Sequence, residues 1–295
     1  MDFALILAAA PGALDDSTVH ALSRALQGAG IGAGAPNWLA PGEACEFPVA
    51  QERDVEAATR AVLGARPIDV AVMARADRRK RILVADMDST VVQGESLDEL
   101  AAHAGVKDKV AALTARAMNA ELPYGESLRR RVALLAGLST TAIGTVLDRL
   151  ELTPGAKILA ATMRANGAHA VLVTSGFAEF SSAVRVRAGF DADISNALEI
   201  ADGKLTGRVR EPILDRDGKA AAMRAIAARL GRSTADVLAV GDGANDLGMI
   251  LEAGLGVAFH AKPTVAAQAR VRVEHADLTA LLYIQGYRKS EFRTN

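Results

Sequence analysis

Cysteine is nearly missing from this chain of 295 residues: Cys45 stands alone. That excludes an internal disulfide framework and a multi-cysteine metal cluster, and it fits a reducing, cytoplasmic setting. Net charge is nearly missing too, at −1, so no overall field draws the chain to nucleic acid or to a membrane surface. No apolar run reaches the ~18 residues that a membrane span needs. Phe3 to Ala10 is apolar, but Asp2 stands where a secretory signal carries positive charge, so this stretch reads as a first strand. His169 and His260 lack metal-ligand partners at useful spacing and read as structural.

What the chain does carry is carboxylate at strand ends. In Arg81-Ile-Leu-Val-Ala-Asp-Met-Asp88, residues Ile82 to Ala85 read as a buried strand, four apolar residues beside a basic flank. Residues two apart on a strand face the same way, so Asp86 and Asp88 share a side and Met87 turns from them. Two such carboxylates cannot both ionise cheaply without a cation. The pair suits a hard ion such as Mg²⁺, or a nucleophile with a general acid; alone, Asp-x-Asp also describes a solvated acidic loop. Further segments narrow the choice. Ala170 to Thr174 leads into Ser175-Gly176, and Val237 to Val240 leads into Gly241-Asp-Gly-Ala-Asn-Asp246. Lys219 opens an Ala-rich helical pattern that runs to Leu230. In open α/β sheets such residues converge outside the carboxyl ends of the strands. A metal, a hydroxyl, a backbone N–H, a lysine and several carboxylates at one sheet edge describe a phosphate site.

Residues 1 to 75 have another pattern. Phe3 to Ala8, Asn37 to Leu39, Ala44 to Val49 and Ile68 to Met73 read as strands. Asp16 to Gly28, with Asp16 or Ser17 as its cap, and Glu52 to Gly64 read as helices. The βαββαβ order is ferredoxin-like and resembles ACT-type modules. Its second sheet face needs a cover, with Trp38 and Phe47 as candidates and homodimer pairing or packing on the rest of the chain as routes. Residues 76 to 81 read as an exposed basic linker at which truncation is tolerated. From Glu95 to about Leu150 the pattern is helical, broken at Gly105, Pro123 and Gly137, with Ser139 as the last N-cap. Asp202-Gly203 between β-like runs signals a hairpin. A helical insert behind the first strand is placed to close over the strand ends and exclude water.

Asp86-Met-Asp-Ser-Thr90, Ser175-Gly176, Lys219 and Gly241-Asp-Gly-Ala-Asn-Asp246 together resemble the haloacid-dehalogenase-like phosphatases. Further matches lie at Glu95-Ser-Leu-Asp-Glu99, at Tyr124 to Val132 and at Ala258 to Pro263. The resemblance covers residues 81 to about 284. It implies a doubly wound parallel sheet with a helical cap: core at 82–94 and 153–295, cap at 95–152, behind the ferredoxin-like unit. It implies Asp86 as nucleophile and Asp88 as general acid and base. Mg²⁺ is implied on Asp86, on the Asp88 main-chain carbonyl and on Asp242. Ser175, Gly176, Lys219 and Asn245 are implied at the phosphoryl group, with Asp246 in support. The Glu95 and Arg131 segments narrow the implied substrate to O-phospho-L-serine, its ammonium on Glu95 and its carboxylate on Arg131. Of Arg129, Arg130 and Arg131, the 100° helical step lets one or two face a site. Where the family has Ser-Gly-Gly-Phe, Phe177 is read as standing at the second glycine, and Tyr124 replaces a common Phe. Two alternatives stay open: a phosphatase or phosphotransferase for another small phosphomonoester, and an amino-acid-binding regulatory protein with a degenerate core.

Overall fold

Two larger sheets organise the computed structural model, which describes residues 1–118 and 121–294. The first unit runs β1 (Phe3–Ala9), α1 (Asp16–Gly28), β2 (Asn37–Ala40), β3 (Ala44–Val49), α2 (Val55–Leu63) and β4 (Ile68–Ala74). Its antiparallel strands lie in the order β2-β3-β1-β4, the ferredoxin-like arrangement. α1 is capped by Asp15, one residue before the expected Asp16 or Ser17, because its carboxylate reaches the Thr18 N–H at 2.7 Å.

The second unit begins with β5 (Ile82–Ala85) and four helices, α3 (Ser96–His103), α4 (Lys107–Met118), α5 (Tyr124–Ala133) and α6 (Thr141–Arg149). It continues with α7 (Ala156–Ala165), β6 (His169–Phe177), α8 (Ala178–Ala188), β7 (Ala192–Asn196) and the strands β8 (Leu198–Ala201) and β9 (Lys204–Val209). Then come α9 (Arg216–Arg229), β10 (Val237–Gly241), α10 (Leu247–Glu252), β11 (Leu255–Phe259), α11 (Pro263–Ala266), β12 (Val271–Val273) and α12 (Ala280–Ile284). Six parallel strands lie in the order β12-β11-β10-β5-β6-β7. The chain leaves β5 toward β6 on one side and returns through β10 on the other. The crevice at their carboxyl ends is therefore a topological switch point. No helix among the described residues is long and apolar enough to cross a membrane.

The four helices α3 to α6 leave and rejoin the sheet by two adjacent passages. Gln93 N–H donates to Glu151 O and Thr153 N–H to Val91 O, each at 2.9 Å. At α6, the Ser139 hydroxyl accepts the Thr141 N–H at 3.3 Å, while Thr140 holds the N-cap position without a side-chain bond, so the expected cap is displaced by one residue. Asp202 and Gly203 both have positive φ, at 49° and 70°, as a tight I′-type hairpin turn requires. Sequence order places this hairpin within the α/β core. It packs instead against α5, with Gly137 N–H donating to Leu205 O at 2.8 Å. A Cβ on Gly207 would come within 2.9 Å of Ala136 Cβ, so the close approach needs that glycine.

Alternation along β1 divides it between two cores. Leu5, Leu7 and Ala9 pack with α1 and α2, while Ala4, Ile6 and Ala8 join the larger core that contains α12. Trp38 and Phe47, expected as cover for the second face, lie on the helix side. Small residues line the second face, and Tyr283 and Ile284 of α12 belong to the core built on it. The cover is thus supplied within the chain. Residues 76–81 are likewise engaged rather than a free linker. Arg78 pairs with Glu46 at 2.7 Å, the Arg79 guanidinium lies 3.9 Å from the Tyr287 ring centre, and Lys80 Nζ donates to Ala235 O at 2.9 Å. These contacts argue against the expectation that truncation at this point is tolerated. A fragment beginning at Ala76 exposes the apolar residues of α12, and we expect it to melt roughly 10 °C or more below the full chain. Thermal denaturation of the two proteins checks this, and equal melting temperatures would remove the argument.

Candidate active site

Asp86 follows β5 without a break, its N–H donating to Val240 O at 2.9 Å. The chain then makes one wide turn, Met87–Val91, closed by Val92 N–H on Met87 O at 2.9 Å. Ser89 takes a left-handed φ of 55° inside it. Wide turns of this kind re-aim side chains at functional sites, and here Asp86 and Asp88 open into one cavity of 590 Å³. Thr174, Ser175 and Gly176 line it from the end of β6, Asp242 and Asn245 from behind β10, and Glu95, Tyr124, Leu128 and Arg131 from the helical insert. The sequence-predicted residues Asp86, Asp88, Glu95, Arg131, Ser175, Gly176, Asp242 and Asn245 all meet there. Lys219 and Asp246 sit directly beneath, fully buried.

Lys219 Nζ lies 2.7 Å from both Asp86 Oδ1 and Asp246 Oδ1. Burial alone lowers a lysine's pKa, but here the Asp246 and Asp86 charges outweigh it and hold the ammonium above its ordinary value. The other Asp246 oxygen accepts the Gly243 N–H at 2.9 Å, so both of its oxygens are committed to holding the loop and the lysine. Asp88 turns away from Lys219. Its two oxygens accept the Ser96 N–H and hydroxyl, each at 3.0 Å. Burial first, then the charges of Glu95 and Asp86, raise the Asp88 carboxyl well above the ordinary range. A carboxyl raised in this way suits a group that must hold a proton and give it up, as acid catalysis requires. Glu95 accepts the Ser89 hydroxyl at 2.9 Å and is itself raised, by desolvation in the cleft and then by Asp86.

Sequence pattern does not mark Thr174, yet it lines the cavity, and its hydroxyl accepts the Gly176 N–H at 3.0 Å. Thr174-Ser175-Gly176-Phe177 matches Ser-Gly-Gly-Phe without a gap, so the extra side chain is that of Ser175 rather than Phe177. Phe177 has φ −119°, and no left-handed backbone is needed there. Gly176 is constrained by space: a Cβ would meet Asp88 Oδ2 at 2.9 Å. Asn196, also unforeseen, accepts Leu214 N–H at 2.7 Å and donates to Ser175 O at 2.8 Å, bracing the irregular end of β6. On α5, Tyr124, Leu128 and Arg131 recur at i, i+4 and i+7 and form the face toward the cavity. Arg129 instead pairs with Glu211 at 2.7 Å, and Arg130 with Glu126. Arg131 Nε is buried without a partner among the described residues, an opening for a carboxylate.

Asp86, Asp242 and Asp246 offer oxygens within 4.8 Å of one another, a hard, all-oxygen donor set that fits Mg²⁺. With Asp246 committed elsewhere, Asp86 and Asp242 remain as carboxylate donors, and Asp88 has its main-chain carbonyl to add. Burial, then the Asp86 and Asp246 charges, push the Asp242 carboxyl to about 7 in the metal-free site. The folded chain therefore binds more protons than the unfolded chain between about pH 4 and 7, and metal-free stability falls as pH rises through that window. Protons also compete with the cation, so Mg²⁺ should bind about tenfold more weakly at pH 6 than at pH 8. Titration calorimetry at the two pH values checks this, and equal affinities would mean that Asp242 either is not raised or is not a ligand.

A family model described as haloacid dehalogenase-like hydrolase matches residues 83–251. The chain belongs to this family. It is 42% identical over 255 residues to a phosphoserine phosphatase of Streptomyces coelicolor, a match covering 85% of this chain and 62% of that protein. The chain thus spans less than two thirds of that relative's length. The structure of a probable phosphoserine phosphatase from Vibrio cholerae superposes with a TM-score of 0.80 at 32% identity, covering 98% of this chain and 88% of that one. A substrate-bound phosphoserine phosphatase structure gives a TM-score of 0.65 at 35% identity, covering 69% of this chain and 97% of that one.

Proposed function

We propose that the chain is a Mg²⁺-dependent phosphoserine phosphatase, hydrolysing O-phospho-L-serine to L-serine and phosphate. The observation that carries this reading is one cavity with two kinds of wall. Asp86, Asp88 and Asp242 line its floor, and Glu95 and Arg131 line its insert side with an acid and a guanidinium. The relatives named above support the same substrate. Glu95 takes the ammonium and Arg131 the carboxylate, whose planar fork suits a guanidinium better than a lysine.

The phosphoryl group lies over Asp86, with Ser175, the Gly176 N–H and Asn245 around its oxygens and the Lys219 charge directly beneath. Bound through Asp86 and Asp242, Mg²⁺ would supply positive charge against the phosphate dianion. An Asp86 oxygen forms a bond to phosphorus as the bond to the seryl oxygen breaks, and Asp88 gives its proton to that oxygen. Water then attacks the aspartyl phosphate, Asp88 accepts its proton, and phosphate leaves with Asp86 restored. Asp246 acts by holding Lys219. Thr174 joins the group that holds the phosphate loop. The single buried Cys45 supports a reducing, cytoplasmic setting. A homodimer through residues 1–75 would use surfaces other than the sheet face already covered within the chain.

Phosphate release from L-phosphoserine with and without Mg²⁺ tests the reading, with phosphoethanolamine, which lacks the carboxylate, as comparison. Turnover of phosphoserine that needs Mg²⁺ and exceeds that of phosphoethanolamine is the expected result. Equal turnover of the two would favour a less selective phosphomonoesterase.

A further inference from the structure

Asp69 is the one charged residue of the buried strand β4, 2% exposed. A buried carboxylate is costly unless donors surround it. Its donors come from the second unit: it accepts the N–H groups of Glu274 at 2.7 Å, His275 at 3.2 Å and Ala276 at 2.8 Å. Three successive N–H groups around one carboxylate form an anion-binding nest.

The loop held this way has two other ties. Leu278 N–H donates to Pro154 O at 3.2 Å, where the helical insert rejoins the core. His260 N–H donates to Val273 O at 2.8 Å, and its ring Nε2 lies 2.9 Å from Ala276 O. His260 has φ +43°, a left-handed conformation uncommon outside glycine. Such backbone is costly and persists only where its surroundings over-determine it. Two residues on, Lys262 lines the cavity, its N–H donating to Asp242 O at 3.1 Å and its Nζ 3.8 Å from the Asp242 carboxylate. No residue before Asp86 lines that cavity.

We infer that Asp69 is a positioning residue of the active site: by clamping residues 274–276 it holds His260 in its left-handed conformation and so places Lys262 and Asp242. The first unit thereby sets the geometry of a site to which it contributes no side chain. The activity readout rests on the phosphatase reading, whereas the metal-binding readout stands apart from it.

The test uses the full chain. Asp69→Asn keeps the size of the side chain but replaces one acceptor oxygen with an amide group. Mg²⁺ affinity, measured by calorimetry, and kcat/KM for phosphoserine should each fall by roughly 3- to 30-fold, the scale on which remote residues modulate a coupled site. His260→Asn tolerates left-handed backbone but loses the ring contact. It should weaken Mg²⁺ binding similarly, and the double variant should be no worse than the weaker single one. A purely structural Asp69 would lower the melting temperature of Asp69→Asn and leave the folded protein's Mg²⁺ affinity at the parental value. That result, or additive losses in the double variant, overturns the inference. If Asp69→Asn does not fold, His260→Asn decides alone, and parental Mg²⁺ affinity there overturns it. A parent that binds Mg²⁺ but releases no phosphate removes the functional reading and leaves this inference to the affinities.

Discussion

Asp86→Asn is expected to fold as the parent does and to lose at least about 10³-fold in kcat, the scale seen when a covalent nucleophile is removed. The amide has the same shape, so the buried site keeps its packing. It carries no negative charge to attack phosphorus, and Lys219 keeps Asp246 as its ion-pair partner at 2.7 Å. The substitution also removes a charge that raises Asp88, Asp242 and Asp246. Metal-free Asp86→Asn should therefore show a smaller loss of stability between about pH 4 and 7 than the parent. Steady-state phosphate release measures the first effect and thermal melting across pH the second. Trapping with fluoroberyllate should mark Asp86 in the parent. Substantial turnover by the variant would rule out Asp86 as nucleophile.

Arg131→Ala should separate recognition from chemistry. Arg131 reaches the cavity from α5; among the described residues its Nε has no partner, and its Nη1 makes a long contact with Thr114 Oγ1 at 3.4 Å. Leaving a desolvated substrate carboxylate without its partner costs roughly 2–5 kcal/mol, or about 30- to several-thousand-fold in kcat/KM for phosphoserine. A nonspecific aryl phosphate has no carboxylate to lose, and its hydrolysis should stay within a few-fold of the parent, on the order of 1 kcal/mol. Kinetics on both substrates provide the measurement. Equal losses would place Arg131 on the phosphate or in the framework of α5.

Local pattern carried much of this molecule. Four apolar residues before Asp86 make the strand that delivers it to the sheet edge, whereas the wide turn Met87–Val91, and not strand alternation, brings Asp88 to the same cavity. Asp202-Gly203 specifies a tight turn because both residues accept positive φ. Lys219 could be placed in the first turns of its helix, although α9 begins at Arg216, capped by Asp215. The order of acid, hydroxyl, lysine and acid behind successive strands was enough to foresee one sheet edge, since open α/β sheets gather such residues at their switch point.

What the chain pattern left undecided was partnership across long separations. Nothing near Asp69 in sequence distinguishes it from a strand acid that needs solvent, because its donors lie at residues 274–276. The cover of the first sheet was open for the same reason: α12 supplies it from the far end of the chain. Thr174 and Asn196 were passed over because a hydroxyl or an amide has no periodic signature, and its partner is set by how β6 bends. That Asp86 and Asp88 cannot both ionise cheaply is legible in their spacing, but the desolvation that dominates the shift is not. An aspartate's ordinary value is set by its own chemistry, whereas Asp88 and Asp242 depart from it because folding strips their water and brings other carboxylates close. Sequence determined which strands form and which reactive groups end them. Packing decided which of those groups face each other, which stay dry, and so which can hold a proton, a cation or a phosphoryl group.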